Sequence, residues 1–449
     1  MSDHIHAISP LDGRYKTSVK DLSTYFSEYS LIYHRLFIEI EYLIALGDEK
    51  TIKELPPFSK NETTQLRKIY QKFDGKNAQE IKKIESTINH DVKAVEYFIR
   101  KKVKKSLHHW IHFALTSEDV NNLSYSIMWQ SALKQSYLKL LQSVINELKK
   151  LSRKYKSAPL LSRTHGQPAT TTTFGKELAV FSYRLNREMN KLNNHKLLGK
   201  FGGATGTWSA QTIAYPNTNW IRFASKFIKS VGLEPNLITT QIEPHDSISE
   251  SYHHIIRINS IFLDFCRDMW SYISRDLIGQ KQVGGEVGSS TMPHKINPIQ
   301  FENAEGNIGI SNAILNHLAT KLPISRLQRD LTDSTSLRNQ GVGLAHSYLA
   351  LKNILKGLHR IRLNKNQMLY ELENHWEVLG EAIQTILRKN GKEDAYEELK
   401  KLTRGQSIDK DSIEKFILEL KINPKDKEVL LNLTPGSYTG IADELIDLL

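Results

Sequence analysis

The feature that most restricts the fold of this chain is a stretch of 83 residues, 76–158, that contains neither glycine nor proline. A fold with many strands needs turn-forming residues every 8–12 residues or so, so the stretch predicts two or three helices. Two further stretches, 176–198 and 245–278, also lack both residue types. Because a helix of 30 residues is about 45 Å long, several of them side by side predict an elongated helical bundle.

Apolar residues within the longest stretch follow the spacing of one helix face. Tyr137, Leu141, Val144, Leu148 and Leu151 step by four and three residues in turn, which makes one apolar stripe, as on a bundle or coiled-coil helix. Glycine and proline, at 24 and 13 of 449 residues, fall below their usual combined share of about 12%. The fold class predicted from these patterns is all-α.

Glycine and proline cluster between the helical stretches, and their positions predict three domains. These are an N-terminal helical domain over 1–112, a central domain of long bundled helices over 113–358 and a C-terminal helical domain over 359–449. No linker composition marks the first boundary.

The net charge of +12, from 61 basic and 49 acidic residues, leaves two classes of protein open. One binds nucleic acid or a membrane surface, and the other is an enzyme whose substrate carries several carboxylates or phosphates. The densest basic run, 100–105, lacks the interleaved aromatic residues that stack on bases, so a solvated helix face is favoured. The single cysteine, Cys266, excludes an internal disulfide and suits a reducing cytoplasm. The sequence shows neither a secretory signal nor a membrane span.

The most unusual segment is the glycine-rich loop 284–298, in which three glycines precede Ser289 and Ser290 and two prolines follow. It is either a surface loop between two helices or a closing lid that carries a nucleophile or base. Serine is a poor base unless its alkoxide is stabilised, and Lys295 together with loop N–H groups would supply that stabilisation.

Three other polar segments are candidates for chemistry. The segment 162–168 reads as a short polar loop in which His165 is either structural or suited to proton transfer near neutral pH. The string 89–91, Asn-His-Asp, is followed by 116–119, Thr-Ser-Glu-Asp, which also fits a plain helix N-cap.

A fourth segment, 329–339, contains Ser334 and Arg338 four residues apart, so both face the same way on a helix. This pair suits a phosphate or carboxylate, and a surface ion pair is the alternative. The glycines of 202–206 lack the lysine of a phosphate-binding loop. His108 and His112 share a helix face but have no third ligand, so no metal site is expected there.

The string Gly288-Ser-Ser-Thr-Met-Pro-His-Lys-Ile-Asn-Pro298 resembles the signature loop of the fumarase/aspartase superfamily, whose members eliminate fumarate from succinyl compounds. Within it, the whole chain resembles the adenylosuccinate lyase family of the bacterial purine-synthesis type. The likeness runs from Asp12-Gly-Arg-Tyr15 through 239–246 to Leu402-Thr-Arg-Gly405. His294 supports this branch, because fumarase-like members have glycine and argininosuccinate lyases have glutamine at the matching position.

The resemblance implies a catalytic set in which Ser289 is the general base and His165 is the general acid that protonates the departing nitrogen. Glu302 fixes the working tautomer of that histidine, Lys295 stabilises the dianionic intermediate, and His90 supports substrate orientation. The substrate-binding residues implied by the resemblance are Arg14, Tyr15, Asn89, His90, Asp91, Thr116, Ser117, Gln241, Ser290, Lys295, Asn297, Asn303, Arg329, Ser334 and Arg338.

The resemblance also implies two reactions of purine synthesis. One converts adenylosuccinate to AMP, and the other converts the succinyl-carboxamide imidazole ribotide to the carboxamide ribotide. It implies no cofactor, no metal, no nucleic acid and no membrane partner. It further implies a cytoplasmic homotetramer in which long helices form the central core and three subunits share each active site.

Three alternatives remain at this point. A sibling lyase that acts on malate or a smaller succinyl amino acid would use the same loop without needing Arg329, Ser334 and Arg338. A basic helical nucleic-acid-binding protein would use the net charge, and a structural helical scaffold would need neither feature. The last two leave the glycine-rich loop unexplained.

Overall fold

The computed structural model describes residues 4–281, 292, 295–403 and 408–449. Of the described residues, 66% lie in helices and a few form short strands, which confirms the mostly α-helical class. It divides by contacts into two compact units. Unit 1 comprises 1–141, 188–260 and 306–352, and unit 2 comprises 142–187, 261–305 and 353–449. The three-domain division along the sequence stays a prediction.

Helices make up most of the described residues of both units. In chain order they are α1 Lys16–Phe26, α2 Glu28–Gly47, α3 Lys60–Gln71, α4 Gly75–Ile88, α5 Asp91–Lys102, α6 Ser117–Ala132, α7 Leu138–Lys154, α8 Phe174–Asn194, α9 Ser209–Ala214, α10 Trp220–Ser230, α11 Asp246–Ser274, α12 Ile299–Lys321, α13 Thr332–Leu337, α14 Gln340–Leu358, α15 Lys365–Glu373, α16 Gly380–Lys389, α17 Ala395–Thr403, α18 Lys410–Glu419, α19 Pro424–Leu431 and α20 Ala442–Leu445.

The strands form small two-stranded sheets. β1 Pro159–Thr164 pairs antiparallel with β2 Gln167–Thr173, β3 Leu198–Lys200 pairs parallel with β4 Glu234–Asn236, and β5 Ile278–Gln280 pairs antiparallel with β6 Ile361–Leu363. Short 3₁₀ turns cover His4–His6, Lys105–Leu107, Trp376–Leu379 and Ile446–Leu448.

The stretch without glycine or proline forms three helical rods, as its composition predicts. They are α4, α5 and one continuous helix from α6 to α7, which contains a π-helical turn at Leu133–Tyr137. The break between α4 and α5 needs no glycine, because Asn89 takes the left-handed conformation at φ 52°. Asparagine is one of the few residues with a side chain that visits this region routinely.

The predicted apolar stripe is buried along its whole length, from Tyr137 to Leu151. At its unit 1 end, the Tyr137 hydroxyl lies 2.9 Å from Ser347 Oγ, and Ser347 donates to Asn259 Oδ1 at 2.6 Å. Asn259 Nδ2 donates to Ser311 Oγ at 3.0 Å. Because buried polar groups are costly when unpaired, this chain of hydrogen bonds fixes how α11, α12 and α14 face one another in unit 1.

The core of unit 2 includes an apolar cluster contributed mainly by the C-terminal helices. Leu161 of β1 packs into it, which anchors the hairpin β1–β2 to that core. The other buried members are Leu372, Trp376, Val378, Leu379, Ile383, Leu387, Ala395, Leu399, Ile413, Ile417, Leu420 and Leu430. Within the described residues, no helix is both long enough and apolar enough to span a membrane.

Candidate active site

His165 lies at the tip of a β-hairpin, not in the polar loop that 162–168 predicts. Thr164 pairs with Gln167, which leaves a two-residue turn of His165 and Gly166. Both turn residues have positive φ, 52° and 77°, as a type I′ turn requires. The loop interpretation is wrong because the threonines of β2 are β-branched and favour strands.

The imidazole of His165 is exposed at this turn and hydrogen-bonds to none of the described side chains. A left-handed backbone costs of order 1–2 kcal/mol for a residue other than glycine, so the hairpin must stabilise it. Arg163 contributes, since its Nη1 donates to the carbonyl oxygen of Gly166 at 3.2 Å. Among the described residues, nothing therefore occupies the two ring nitrogens, which are available for proton transfer.

The segment before α12 carries the other groups expected to react. Ser289 and Ser290 lie outside the described residues, and their roles stay predictions. Lys295 is exposed and Asn297 half-buried. In the first turn of α12, Glu302 accepts a hydrogen bond from Trp270 Nε1 at 3.1 Å.

Two further contacts bear on the expected roles around α12. Asn303 Oδ1 accepts a hydrogen bond from Asn353 Nδ2 at 2.8 Å, so its amide is engaged in helix packing within unit 2. Within one chain, the described partner of Glu302 is Trp270, and no hydrogen bond joins it to His165. The predicted tautomer-fixing contact is therefore not made inside a single chain.

The junction of α4 and α5 in unit 1 orients His90. Asn89 ends α4 in the left-handed conformation, and His90 caps α5 by accepting the Lys93 backbone N–H at Nδ1 over 3.2 Å. Because Nδ1 is the acceptor, neutral His90 carries its proton on Nε2. The half-exposed ring therefore offers an N–H donor to the surroundings.

Asp91 is the centre of an ion-pair cluster beside this junction. The buried Arg35 donates to Asp91 Oδ2 at 2.6 Å and to Asn121 Oδ1 at 2.9 Å. Burial acts to raise the pKa of Asp91, but the charge of Arg35 and the hydrogen bonds outweigh it and the pKa lies below its usual value. Arg338 reaches the same carboxylate at 3.5 Å and Glu28 at 3.2 Å.

The start of α6 is organised around Asp119, which is fully buried. Its carboxylate accepts the backbone N–H of Thr116 at 2.9 Å and the ammonium of fully buried Lys200 at 2.7 Å. The backbone N–H groups of Gly202 and Gly203 also donate to it, at 3.0 and 3.2 Å. The N-cap prediction for 116–119 is confirmed, and the glycine segment binds a carboxylate of its own chain.

Next to Asp119, the buried Glu118 contacts a second cation. Arg329 Nη2 lies 3.3 Å from Glu118 Oε2, and Arg329 Nη1 donates to Gln241 Oε1 at 3.0 Å. Burial raises the pKa of Glu118 to about 7 against the opposing charges of Arg329 and His245. Two predicted substrate-binding residues, Gln241 and Arg329, are thus joined to each other.

His245 and Asp333 complete this cluster, and neither was among the predicted site residues. His245 Nε2 is buried, has no hydrogen-bond partner in the described part of the chain and lies 3.9 Å from Asp333 Oδ2. His245 also has a positive φ of 65°. Its place in the string 239–246 was the available signal, but the spacing in sequence gives no hint of Asp333.

The remaining predicted binding residues also lie in unit 1. Tyr15 is the N-cap of α1, and the guanidinium of Arg14 lies 5.9 Å from the Tyr15 ring centroid. Ser117 begins α6. Ser334 lies in α13, and Arg338 follows its last residue.

The predicted site residues thus divide between the two units. Unit 1 contains the implied substrate-binding groups Arg14, Tyr15, Asn89, His90, Asp91, Thr116, Ser117, Gln241, Arg329, Ser334 and Arg338, and unit 2 contains His165, Lys295, Asn297, Glu302 and Asn303. Unit 1 supplies guanidinium groups and N–H donors for an anionic ligand. Unit 2 contains an imidazole and an ammonium, groups whose chemistry suits proton transfer and charge stabilisation.

Similar proteins of known structure share the fold of the whole chain. A fumarate lyase from Mesorhizobium sp. BNC1 matches with a TM-score of 0.77 at 16% identity, covering 96% of this chain and 97% of that one. The 3-carboxy-cis,cis-muconate lactonizing enzyme from Pseudomonas putida matches with a TM-score of 0.72 at 18% identity, covering 96% of both chains.

Sequence comparisons place the chain more narrowly. A family model described as lyase matches residues 13–311, and one described as adenylosuccinate lyase C-terminal matches 325–439. The adenylosuccinate lyases of Haemophilus influenzae and of Escherichia coli K12 are each 47% identical over 446 residues, 98% of this chain and 98% of theirs. The chain therefore belongs to the adenylosuccinate lyase family, a branch of the fumarase/aspartase superfamily of lyases.

Proposed function

We propose that this carbon–nitrogen lyase of purine synthesis cleaves adenylosuccinate to AMP and fumarate, and cleaves the succinyl-carboxamide imidazole ribotide to the carboxamide ribotide and fumarate. The observation that carries the proposal is the 47% identity to adenylosuccinate lyases along 98% of both chains. A sibling lyase with a smaller substrate would not need Arg329 and Arg338, whose guanidinium groups suit a phosphate.

In the proposed mechanism the alkoxide of Ser289 removes the proton from the succinyl carbon next to a carboxylate. The electron pair passes into that carboxylate, which becomes a dianion that Lys295 and Asn297 stabilise. The pair then returns to form the double bond of fumarate as the carbon–nitrogen bond breaks. His165 gives its proton to the departing nitrogen, so the products are fumarate and the neutral amine.

The exposed imidazole of His165, which hydrogen-bonds to no described side chain of its own chain, supports its role as proton donor, because it leaves one ring nitrogen for Glu302 of another chain and the other for the substrate. The N–H that His90 presents on Nε2 supports its role in orienting a substrate oxygen. The guanidinium groups of Arg14, Arg329 and Arg338 form the proposed phosphate and carboxylate contacts.

A cytoplasmic homotetramer whose subunits share each site is also part of the proposal. The absence of a hydrogen bond between Glu302 and His165 in one chain supports assembly of the site from several chains. A chain that carries both halves but completes them only in an oligomer is inactive as a monomer.

Absorbance assays with each of the two substrates test the reaction, with AMP and fumarate measured as products from adenylosuccinate. Release of fumarate from neither substrate contradicts the proposal. For the shared site, inactive Ser289→Ala and His165→Ala chains are dissociated, mixed and reassembled. Recovery of part of the activity is expected, because some hybrid sites receive both intact residues. Hybrids that form but remain inactive would show that each site is built within one chain.

A further inference from the structure

Three side chains of metal-ligating type converge in unit 1 where the chain leaves α8 and passes the first turns of α11. Glu250 and His254 are four residues apart on α11 and share one face, and His195 follows the end of α8. His195 Nδ1 lies 3.7 Å from Glu250 Oε2, and His254 Nε2 lies 3.9 Å from Glu250 Oε1. One ligand atom from each residue lies within 4.8 Å of the other two.

In each histidine, the contact of the ring nitrogen that points away from Glu250 decides which tautomer is present, and so whether the other nitrogen offers Glu250 a lone pair. His195 Nε2 lies 2.6 Å from the carbonyl oxygen of Ser247, so Nε2 carries the proton and Nδ1 presents a lone pair to Glu250. His254 Nδ1 lies 3.6 Å from Glu188 Oε2. That oxygen is buried and has no hydrogen-bond partner in the described part of the chain. Arg257 Nε lies at the same distance of 3.6 Å from it. The negative charge of Glu188 favours the tautomer with the proton on His254 Nδ1, which leaves the Nε2 lone pair toward Glu250.

Carboxylates or carbonyls behind the ligating histidines are the usual second layer of a metal site, where they fix the tautomer and raise ligand basicity. With His195 fixed by its hydrogen bond and His254 in the tautomer that Glu188 favours, two lone pairs and a carboxylate face one another without a donor between them. We propose that His195, Glu250 and His254 form a binding site for a divalent transition-metal ion such as Zn²⁺, with its remaining coordination position open to solvent.

The distances suit that ion. Bond lengths of 2.0–2.2 Å to nitrogen and oxygen separate tetrahedral ligand atoms by about 3.4 Å. The two histidines lie 3.7 and 3.9 Å from the two different oxygens of Glu250, and one ligand atom from each residue lies within 4.8 Å of the other two, so rotation of the exposed Glu250 side chain closes the site. Glu188 does not compete for the ion, because Lys191 Nζ donates to its other oxygen at 2.9 Å. The exposed Glu250 therefore supplies the negative charge of the site.

A second cluster of this type shows why the first one is the candidate. Glu118, His245 and Asp333 also bring ligand atoms together. There the guanidinium of Arg329 already lies 3.3 Å from Glu118 and 4.0 Å from Asp333, so a cation of the protein occupies the position. Neither Lys191 nor Arg257 lies within ion-pair distance of Glu250; both contact Glu188.

Isothermal titration of the full-length, chelator-treated protein with Zn²⁺ tests the proposal, with Co²⁺ as a spectroscopic probe of tetrahedral coordination. We expect one Zn²⁺ per chain. We also expect a rise in melting temperature of about 3 °C at a free Zn²⁺ concentration roughly 100-fold above Kd. His195→Ala and His254→Ala should each weaken binding by more than about 100-fold, since loss of a second-layer partner alone costs 10- to 100-fold.

His253→Ala is the matched control, because His253 is the exposed neighbour on the same helix and belongs to neither cluster. It should leave the affinity and the Co²⁺ spectrum unchanged. Glu250→Gln, an isosteric change at an exposed position, covers the case in which a histidine variant does not fold, and it should also weaken binding. The proposal would be overturned if Zn²⁺ did not bind stoichiometrically, or if His253→Ala weakened Zn²⁺ binding as much as His195→Ala and His254→Ala do.

Discussion

The polar side chains around the start of α6 in unit 1 and the imidazole of His165 in unit 2 differ in how they are paired. In unit 1, Asp119 pairs with Lys200, and Arg329, a predicted binding residue, contacts Glu118 and Gln241. In unit 2 the imidazole of His165 is exposed on a two-residue turn and unpaired among the described side chains. Under the proposed function, the paired Arg329 is assigned to binding, and the imidazole without a described partner is the one assigned to proton transfer.

The largest expected effect concerns His165, which hydrogen-bonds to none of the described side chains. His165→Asn preserves a residue that tolerates positive φ but cannot exchange a proton near neutral pH. We expect kcat to fall by about 10²–10⁴-fold, with no change in helix content or melting temperature, because the imidazole packs against nothing described. Circular dichroism and fumarate release measure both. A near-normal kcat would show that His165 is not the general acid, and the exposed imidazole would then need another explanation.

The second prediction concerns the buried ion pair between Asp119 and Lys200. Lys200→Met leaves the buried Asp119 without its counter-charge, and breaking one half of a buried pair costs about 3–5 kcal/mol. Urea unfolding should show that loss, whereas Lys196→Met, at an exposed position nearby, should change little. Combining Lys200→Met with Asp119→Asn should recover part of the stability. If the double variant is no better than Lys200→Met alone, the ion pair is not the stabilising element.

A third prediction uses pH. The raised pKa of Glu118, about 7 against an ordinary 4.5, means that its contribution to stability is present below about pH 4.5 and is lost as pH rises through about 7. Glu118→Gln stays neutral, so it should gain on the parent protein over that range by up to about 3 kcal/mol. Urea midpoints at several pH values measure this, with the exposed Glu234→Gln as the control. The prediction would be contradicted if the urea midpoints of the parent protein and of Glu118→Gln changed with pH in the same way.

The smallest expected effect tests binding directly. Arg329→Lys keeps the charge but loses the planar fork that reaches Gln241 and Glu118 together. We expect KM for adenylosuccinate to rise about tenfold, in line with the loss of one charged hydrogen bond, while kcat stays the same. Arg326→Lys, in the same connection and exposed, is the control. A fall in kcat at constant KM would show that Arg329 acts in the chemical step and not in substrate binding.

The fold was more predictable than the site because its signals are local. The absence of glycine and proline over 76–158 and the apolar spacing from Tyr137 to Leu151 act within single helices, and both were confirmed. The sequence predicts a loop at 162–168 because Gly166 and Pro168 closely follow His165, whereas the threonines of β2 favour the strand that the structure shows.

The arrangement of the site depends on contacts that no local pattern contains. Asp119 meets Lys200 across 81 positions, and Glu118 meets Arg329 across more than 200. Sequence spacing marked 116–119 as a helix start and could not supply either partner. The resemblance to the superfamily named residues for binding and for reaction, but the contacts that orient them follow only from the packed chain.

The π-helical turn at Leu133–Tyr137 has a consequence for how the long helix is phased. A π turn accommodates one residue more than the α-helix does, and each residue advances the helix by about 100°. The residues after the turn are therefore rotated by that angle relative to an uninterrupted α-helix. Deleting one residue from the turn would regularise the backbone hydrogen bonds and swing Leu141–Leu151 away from the direction they now face. Because of the extra residue, the side chains at the start of α6 and those of the apolar stripe each face the direction they need, although both lie on one continuous helix.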